Sequence, residues 1–342
     1  MIARYTFLRR HPQVFLAMTG LHLVEFDHLA LDFLPQYAAA ETARHAQVPQ
    51  PPSPPRPRRR AVGAGHPFRL SRRDQLLLAL IWLRLYPTNE VLGYLFGVSD
   101  STVSRLLARL VPLLAASGGD TMRLPDPGRK HRRQLADLLS ALPALGVVID
   151  SFEQPVQRPQ GRPTPAPAPT DPPPPPEADR WYSGKKKRHT IKSQLAVNRH
   201  SGEIVDVAES VPGPTADLTL LKQSRLLERL PPGVSGEGDL AYVGIAQVHP
   251  QGLGFTPRRK PRGADKHRPR GQDKEQAPED KAYNRAFARS RIIVEHTIGR
   301  VRRYQAVTAP DRHHRKGHTA RVQAISGLVN RQLAARLPYH VH

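Results

Sequence analysis

An α/β sheet domain preceded by an all-helical region with a helix-turn-helix is the fold class this 342-residue sequence predicts. Three observations predict it. Apolar residues recur with a helical period through residues 71–114, shift to short extended runs from residue 145, and return to helical period after residue 279. A tight turn led by Gly97 separates two of the early helical segments. Of 36 prolines, six fall in residues 49–57 and eleven in residues 155–176, marking two extended linkers between foldable pieces at 1–47, 66–152 and 180–337. No fixed-period repeat is visible, which excludes solenoids and propellers.

The charge narrows the function. With 52 Lys and Arg against 29 Asp and Glu, the chain carries a formal +23, which calls for a polyanionic partner. Nucleic acid fits better than acidic lipid, because no long basic amphipathic helix is present. The longest apolar run, residues 76–83, is far short of the roughly 20 residues that cross a bilayer. Pro12, His22 and Glu25 interrupt the N-terminal stretch, so neither a signal peptide nor membrane association is expected. The expected location is cytoplasmic and nucleoid-associated. The chain has no cysteine, so disulfides and thiolate metal sites are excluded and any metal must be held by carboxylates or imidazoles.

Residues 1–47 read as short helices around Phe15, Leu23, Phe26, Leu29 and Phe33, too small a set to stand alone. Ser71 is a good N-cap for a helix running through Leu85 and stopped by Pro87. A second helix covers residues 88–96. The turn Gly97, Val98, Ser99 follows, and a third helix from about Asp100 to Leu114 has Val103, Leu106, Leu107 and Leu110 on its apolar face. Ser99, Ser101, Thr102, Ser104 and Arg105 occupy the exposed start of that helix. Short donors plus one cation there suit phosphates and base edges. An ordinary three-helix bundle with a serine cap is the competing reading.

From Leu145 the period changes. Residues 145–150 form a short apolar run ending in Asp150, bounded by Pro143 and Pro155, and read as a buried strand. Residues 188–198 read as a second strand, with a turn at His200, Ser201 and Gly202 and a hairpin partner over 203–209. An amphipathic helix is expected over 215–230, two short strands near Asp239 and Phe255, one long helix over 279–307 and another over 319–337.

Carboxylates are frequent enough that context must select among them. Asp150 ends a buried strand, where an ionised carboxylate is costly unless paired or metal-bound. Asp239 lies at a strand end running into a turn permitted by Gly244. At about 100° per residue, Glu295 and Arg302 share a stripe with Arg291 at the rim of a buried helix face. A structural salt-bridge ladder accounts for that stripe as well as a site does. Asp217 reads as a helix-start acid or as an acid behind a metal site. His313, His314 and His318 resemble a metal cluster by count, but their basic setting points to phosphate contact or solvation.

Six short motifs in order then carry a resemblance. They are Arg158-Pro159 after the first acid; Trp181 and Tyr182 before Lys185, Lys186, Lys187 and Arg188; and Pro212-Gly213 with Asp217. The others are Gly238-Asp239 with Tyr242 and Gly244; Tyr283-Asn284; and Arg291, Glu295 and Arg302. Together they resemble DDE transposases of the insertion-sequence group with the Tyr-Arg-Glu-Lys signature, related to Harbinger-type nucleases. The resemblance spans about residues 10–335 and implies an RNase H-like nuclease with a mixed sheet at 144–310, interrupted by the proline-rich 155–179. Before it lie an N-terminal helical segment (1–47), a Pro/Arg-rich linker (48–65) and a DNA-binding helix-turn-helix (66–118); after it, a basic helix and tail (311–342).

The resemblance implies that Asp150, Asp239 and Glu295 are catalytic and hold Mg²⁺, with Mn²⁺ as a substitute. Arg291 and Arg302 would support them, and Lys185, Lys186, Lys187 and Arg188 would grip double-stranded DNA, or equally form a solvated basic turn. Cleavage at element ends, strand transfer into target DNA and a homo-oligomer on DNA follow from the same resemblance. The chain departs from the family pattern at Ala288, where the signature has tyrosine, and at Arg302, where it has lysine. The proline tract is longer than the usual gap, and residues 234–238 make a weak strand before Asp239. A non-catalytic transposase-derived regulator shares the helix-turn-helix and the charge; only the spaced acids favour the enzyme.

Overall fold

The computed structural model describes residues 3–46, 70–127, 145–159, 177–260 and 276–336. The 48–65 linker and residues 160–176 of the second proline tract lie outside the described residues. The chain forms two compact units, one built from residues 1–120, 303–306 and 323–342, the other from residues 121–302 and 307–322. No single described helix is long and apolar enough to cross a membrane.

The first unit is helical. It contains α1 (Tyr5–Leu8), α2 (Pro12–Thr19), α3 (Leu23–Ala46), α4 (Arg72–Leu85), α5 (Asn89–Phe96) and α6 (Asp100–Gly119). The N-terminal segment is less fragmented than its sequence suggests, because α3 runs on through Pro35 for 24 residues. Side-chain oxygens cap the next three helices: Ser71 accepts from the Asp74 N–H, Thr88 from Val91 and Ser99 from Thr102. Asp74 also accepts from the Tyr5 N–H at 2.8 Å, tying the first segment to α4. The α5–α6 turn requires Gly97, whose φ is +67°. Leu92, Phe96, Val103, Leu106 and Leu110 fill the space beneath it, each stabilising the fold by about 1.5–3 kcal/mol.

The second unit is a mixed sheet with helices. Its strands are β1 (Leu145–Pro155), β2 (Tyr182–Ser183), β3 (Arg188–Asn198), β4 (Ile204–Val207), β5 (Val211–Pro212), β6 (Val234–Glu237) and β7 (Gly254–Phe255). The order is β2-β3-β1-β6-β7, with β4 and β5 also paired to β3. β1 runs antiparallel to β3 and parallel to β6. Its helices are α7 (Glu177–Arg180), α8 (Asp217–Ser224), α9 (Leu226–Arg229), α10 (Ile245–Val248) and α11 (Pro278–Val301); the last helix, α12 (His318–Arg336), begins in this unit and from Gln323 belongs to the helical one.

Three elements differ from expectation. β1 continues five residues past Asp150, because β3 pairs with it as far as Pro155↔Thr190. The helix expected over 215–230 is broken at Arg225, whose φ is +52°. The long helix ends at Val301, and a 3₁₀ turn at Gln305–Val307 follows.

The weak strand before Asp239 does form, and all four residues of β6 are buried. Its stability has a visible source beyond the ladder. Glu237, with 0 % of its surface exposed, forms an ion pair with the buried Arg199. Ser235 Oγ lies 2.9 Å from Glu237 Oε1 and donates to it. Gly146 makes room for the pair: a Cβ there would stand 2.5 Å from Glu237 Oε1.

Candidate active site

β6 ends with Glu237 across from Val148. Among the described residues, β1 from Ile149 to Gln154 has strand pairing on its β3 side alone, so a cleft opens where β6 stops. Side chains from both faces of β1 reach it. Asp150 faces α11, where Arg291 Nη2 approaches its Oδ2 to 3.8 Å. Ser151 points the other way and donates to Asp217 Oδ1 at 2.6 Å at the start of α8. The cavity measures about 340 Å³ and is lined by Asp150, Ser151, Glu153, Lys185, Lys186, Lys192, Asp217, Glu295 and Arg302, among others.

Register explains how Asp239 relates to this cleft. Val148 lies across from Glu237, so Asp150 and Asp239, each two residues further, leave adjacent parallel strands at the same level. Strands so paired are about 4.8 Å apart. Burial pushes the Asp150 carboxyl above its ordinary value, and the charges of Asp239 and Asp217 push the same way. The Ser151 N–H and Arg291 oppose them. Asp239 is not among the residues lining the cavity, and its Oδ1 caps the turn at Leu240–Tyr242 by accepting from the Ala241 N–H at 2.8 Å.

The remaining expected residues divide. Glu295 is exposed on α11 and faces the cavity, as does Arg302 just past the helix end. The salt-bridge ladder weighed from the sequence takes a different form, since Arg291 turns to Asp150 rather than along its own helix. Lys185 and Lys186 line the cleft; Lys187 and Arg188 are exposed on the same hairpin without lining it. In the helix-turn-helix, Ser99 Oγ lies 3.0 Å from Ser101 Oγ and 2.9 Å from Thr102 Oγ1, with Arg105 folded back onto the Ser101 carbonyl. Ser99, Ser101, Ser104 and Arg105 are exposed, and Thr102 is half-buried.

The sequence does not single out Glu153 or Ser151, places Lys192 at the end of the basic-hairpin motif without a role, and leaves Asp217 as either a helix-start acid or an acid behind a metal site. Asp217 does begin α8, but its carboxylate is also held in the cleft by Lys192 Nζ at 3.0 Å. Thr190, Lys192 and Gln194 alternate along the buried β3 and point to one face, onto Glu153, Asp217 and Tyr242. Polar residues at every second position of a buried strand were the available signal. Among the histidines, His318 is neither a phosphate contact nor solvated. It is fully buried and bonds Gln154 at 2.7 Å and Ser210 at 2.8 Å.

These observations define a two-part protein: a helix-turn-helix region and a mixed α/β domain with an acid-lined, lysine-rimmed cleft. Residues 149–330 match the family of DDE superfamily endonucleases, and residues 68–120 match the helix-turn-helix of DDE superfamily endonucleases. The chain belongs to the DDE superfamily endonuclease family. It is also 26% identical, over 268 residues, to the probable transposase for insertion sequence element IS702 of Microchaete diplosiphon, covering 78% of this chain and 83% of that one. No solved structure matches the chain. The resemblance carried by the six motifs therefore holds at the level of the superfamily.

Proposed function

We propose that this protein is a transposase that cleaves double-stranded DNA at the ends of its element and joins them to target DNA, with Asp150, Asp239 and Glu295 as the catalytic acids of an RNase H-like domain. The observation that carries the reading is the meeting of Asp150, Glu295, Arg302, Lys185 and Lys186 on one cleft, with Asp239 leaving the neighbouring strand at the level of Asp150. A central strand that bears the first acid, antiparallel on one side and parallel on the other, supports the RNase H-like assignment.

The donor set fits magnesium. It is all oxygen, and the Asp150 carboxylate, buried among other acids, gains from a nearby cation. Among the described residues no three Asp, Glu or His side chains stand close enough to hold a metal by themselves. That suits an ion which keeps several waters and takes one or two carboxylates plus substrate phosphate. Asp150, Asp239 and Glu295 would share two such ions, each taking one or two of the carboxylates; once bound, they would activate the attacking water and stabilise the leaving oxygen.

The chain's own residues do the rest. Lys185 and Lys186 bind the backbone on either side of the scissile phosphodiester, and Arg302 adds a third positive group on the α11 side. Arg291 holds the Asp150 carboxylate, and Lys192 holds Asp217, so that neither acid swings into the path of the phosphate. Water attacks phosphorus, the bond to the 3′ oxygen breaks, and the freed 3′-hydroxyl attacks target DNA in the same cleft. Pairing two element ends calls for a homo-oligomer on DNA.

The test is cleavage of element-end DNA in Mg²⁺ or Mn²⁺ by the purified chain and by Asp150→Asn, Asp239→Asn and Glu295→Gln. Each variant is expected to bind but not cut. A wild type that cuts no better than the variants would overturn the enzyme in favour of a DNA-binding regulator.

A further inference from the structure

The far end of β1 leads into a second cavity, of about 230 Å³, between residues 156–159 and 311–315. Two chain segments form it because Val156 and Asp311 make a parallel bridge and the Asp311 N–H donates to the Pro155 carbonyl at 2.8 Å. Its lining brings together Arg158, Arg312, His313, His314 and Arg315. The single acid there, Asp311, is buried and already held by Arg321, whose Nη1 donates to it at 2.8 Å. The cavity is therefore electropositive, and the side chains of Arg158 and Arg312 are exposed at its mouth.

A basic path connects this cavity to the cleft. Arg315 lies over the Trp181 ring at 4.4 Å, and Trp181 immediately precedes the β2–β3 hairpin whose Lys185 and Lys186 line the cleft. The two cavities lie along one extended segment: Asp150 of β1 opens the first and Val156, the residue after β1, opens the second. Six residues of strand span roughly 20 Å at about 3.3 Å each. A duplex along β1 covers that distance in about six base pairs at about 3.4 Å per step.

We propose that this second cavity binds a backbone phosphate of the duplex, about six base pairs from the phosphodiester in the cleft. The placement relative to the cut rests on the nuclease reading above; the binding does not. Arginine is suited to the task because its fork matches phosphate oxygens two at a time.

The first experiment measures affinity for a random-sequence duplex against salt concentration, for wild type, Arg158→Ala/Arg312→Ala and a control, Lys222→Ala/Arg225→Ala, at the C-terminal end of α8. Each lost phosphate contact lowers the slope by about 0.9, so the first variant should lose between about one and two units and the control none. Thermal melting checks that truncating two exposed side chains leaves the fold intact. An unchanged slope in the first variant, or an equal loss in the control, overturns the proposal, whether or not the wild type cleaves DNA.

The second experiment replaces single phosphates of element-end DNA by neutral methylphosphonates. Replacement near the sixth base pair should weaken wild-type binding and add nothing to the loss in Arg158→Ala/Arg312→Ala. Fully additive losses would place that phosphate elsewhere and overturn the assignment.

Discussion

The buried pair Arg199–Glu237 should govern whether Asp239 is held in place, and a double-mutant cycle can show it. Both side chains are almost fully enclosed, at 2 % and 0 % exposure. Burial pushes the Glu237 carboxyl up and Arg199 pulls it down, with burial the larger effect. Replacing one partner leaves the other as an uncompensated buried charge, which costs about 3–5 kcal/mol. Arg199→Met and Glu237→Leu should each lose that much, whereas the double replacement should recover most of it, since apolar residues of similar volume often replace a buried pair at little cost. For a unit of this size, each kcal/mol moves the melting temperature by about 2–4 °C.

The chain's two tryptophans make the measurement specific, because Trp82 sits in the helical unit and Trp181 in the sheet unit. In a Trp82→Phe background, urea unfolding followed by fluorescence reports the sheet unit alone. Single variants within about 1 kcal/mol of the parent, or a double variant as unstable as the sum, would refute the reasoning. Because Asp239 lies two residues beyond Glu237, the single variants should also lose DNA cleavage out of proportion to DNA binding.

Further outcomes follow from the same contacts. Asp150 is raised by burial and by neighbouring acids, so its ionised form costs stability above its folded pKa, and that cost shrinks as pH falls from the folded toward the unfolded pKa and is gone below the latter. Asp150→Asn should therefore raise the unfolding free energy at neutral pH by about 0.5–2 kcal/mol and steepen the acid limb of the stability curve, because the wild type regains that stability as its carboxyl protonates. His318 is pushed from 6.5 down to about 3 by burial and Arg321. It stays neutral in the fold while the unfolded chain protonates, so stability should fall by about 1.4 kcal/mol per pH unit between those two values. His318→Gln should remove that slope in an acid titration. Gly327 in α12 packs against Gly118 of α6, where an added Cβ would stand 2.3 Å from the Gly118 Cα. Gly327→Ala should cost about 1–3 kcal/mol in a melt of the helical unit.

The helices were legible because their signals are local. Ser71, Thr88 and Ser99 cap where a short polar residue precedes an apolar period, and Gly97 turns where only a left-handed residue fits. The break at Arg225 carried no such mark, since arginine has no preference for positive φ and tertiary packing set it there. The strand β1 was cut short in the reading because Ser151 and Glu153 look like loop residues until β3 supplies Gln194 and Lys192 across from them. A cleft-lining strand alternates polar with apolar for the same reason a surface strand does, and one chain alone does not separate the two. Residues 234–237 hold one apolar side chain, Val234, yet all four are buried in β6. The remedy for that shortage was invisible, because Arg199 lies 38 residues from Glu237.

The acids show the same division between local pattern and register. Motif order picks out Asp150, Asp239 and Glu295 as candidates from 29 carboxylates, but leaves Asp217 between a helix start and an acid behind a metal site. Asp217 shares the cleft because Lys192 projects from β3 toward the start of α8, and Ser151 reaches it from the opposite side. Its charge raises the Asp150 carboxyl in company with that of Asp239. Asp150, Glu153, Asp217 and Glu295 line the cleft, and the ion pairs of Arg291 with Asp150 and Lys192 with Asp217 leave room for a cation brought in with DNA, while the exposed lysines of the hairpin favour the DNA itself. Neutralising Asp217 while keeping Lys192 would weaken the first attraction and strengthen the second. The two variants Asp217→Asn and Lys192→Met should therefore shift the metal dependence of cleavage and the salt dependence of binding in opposite directions.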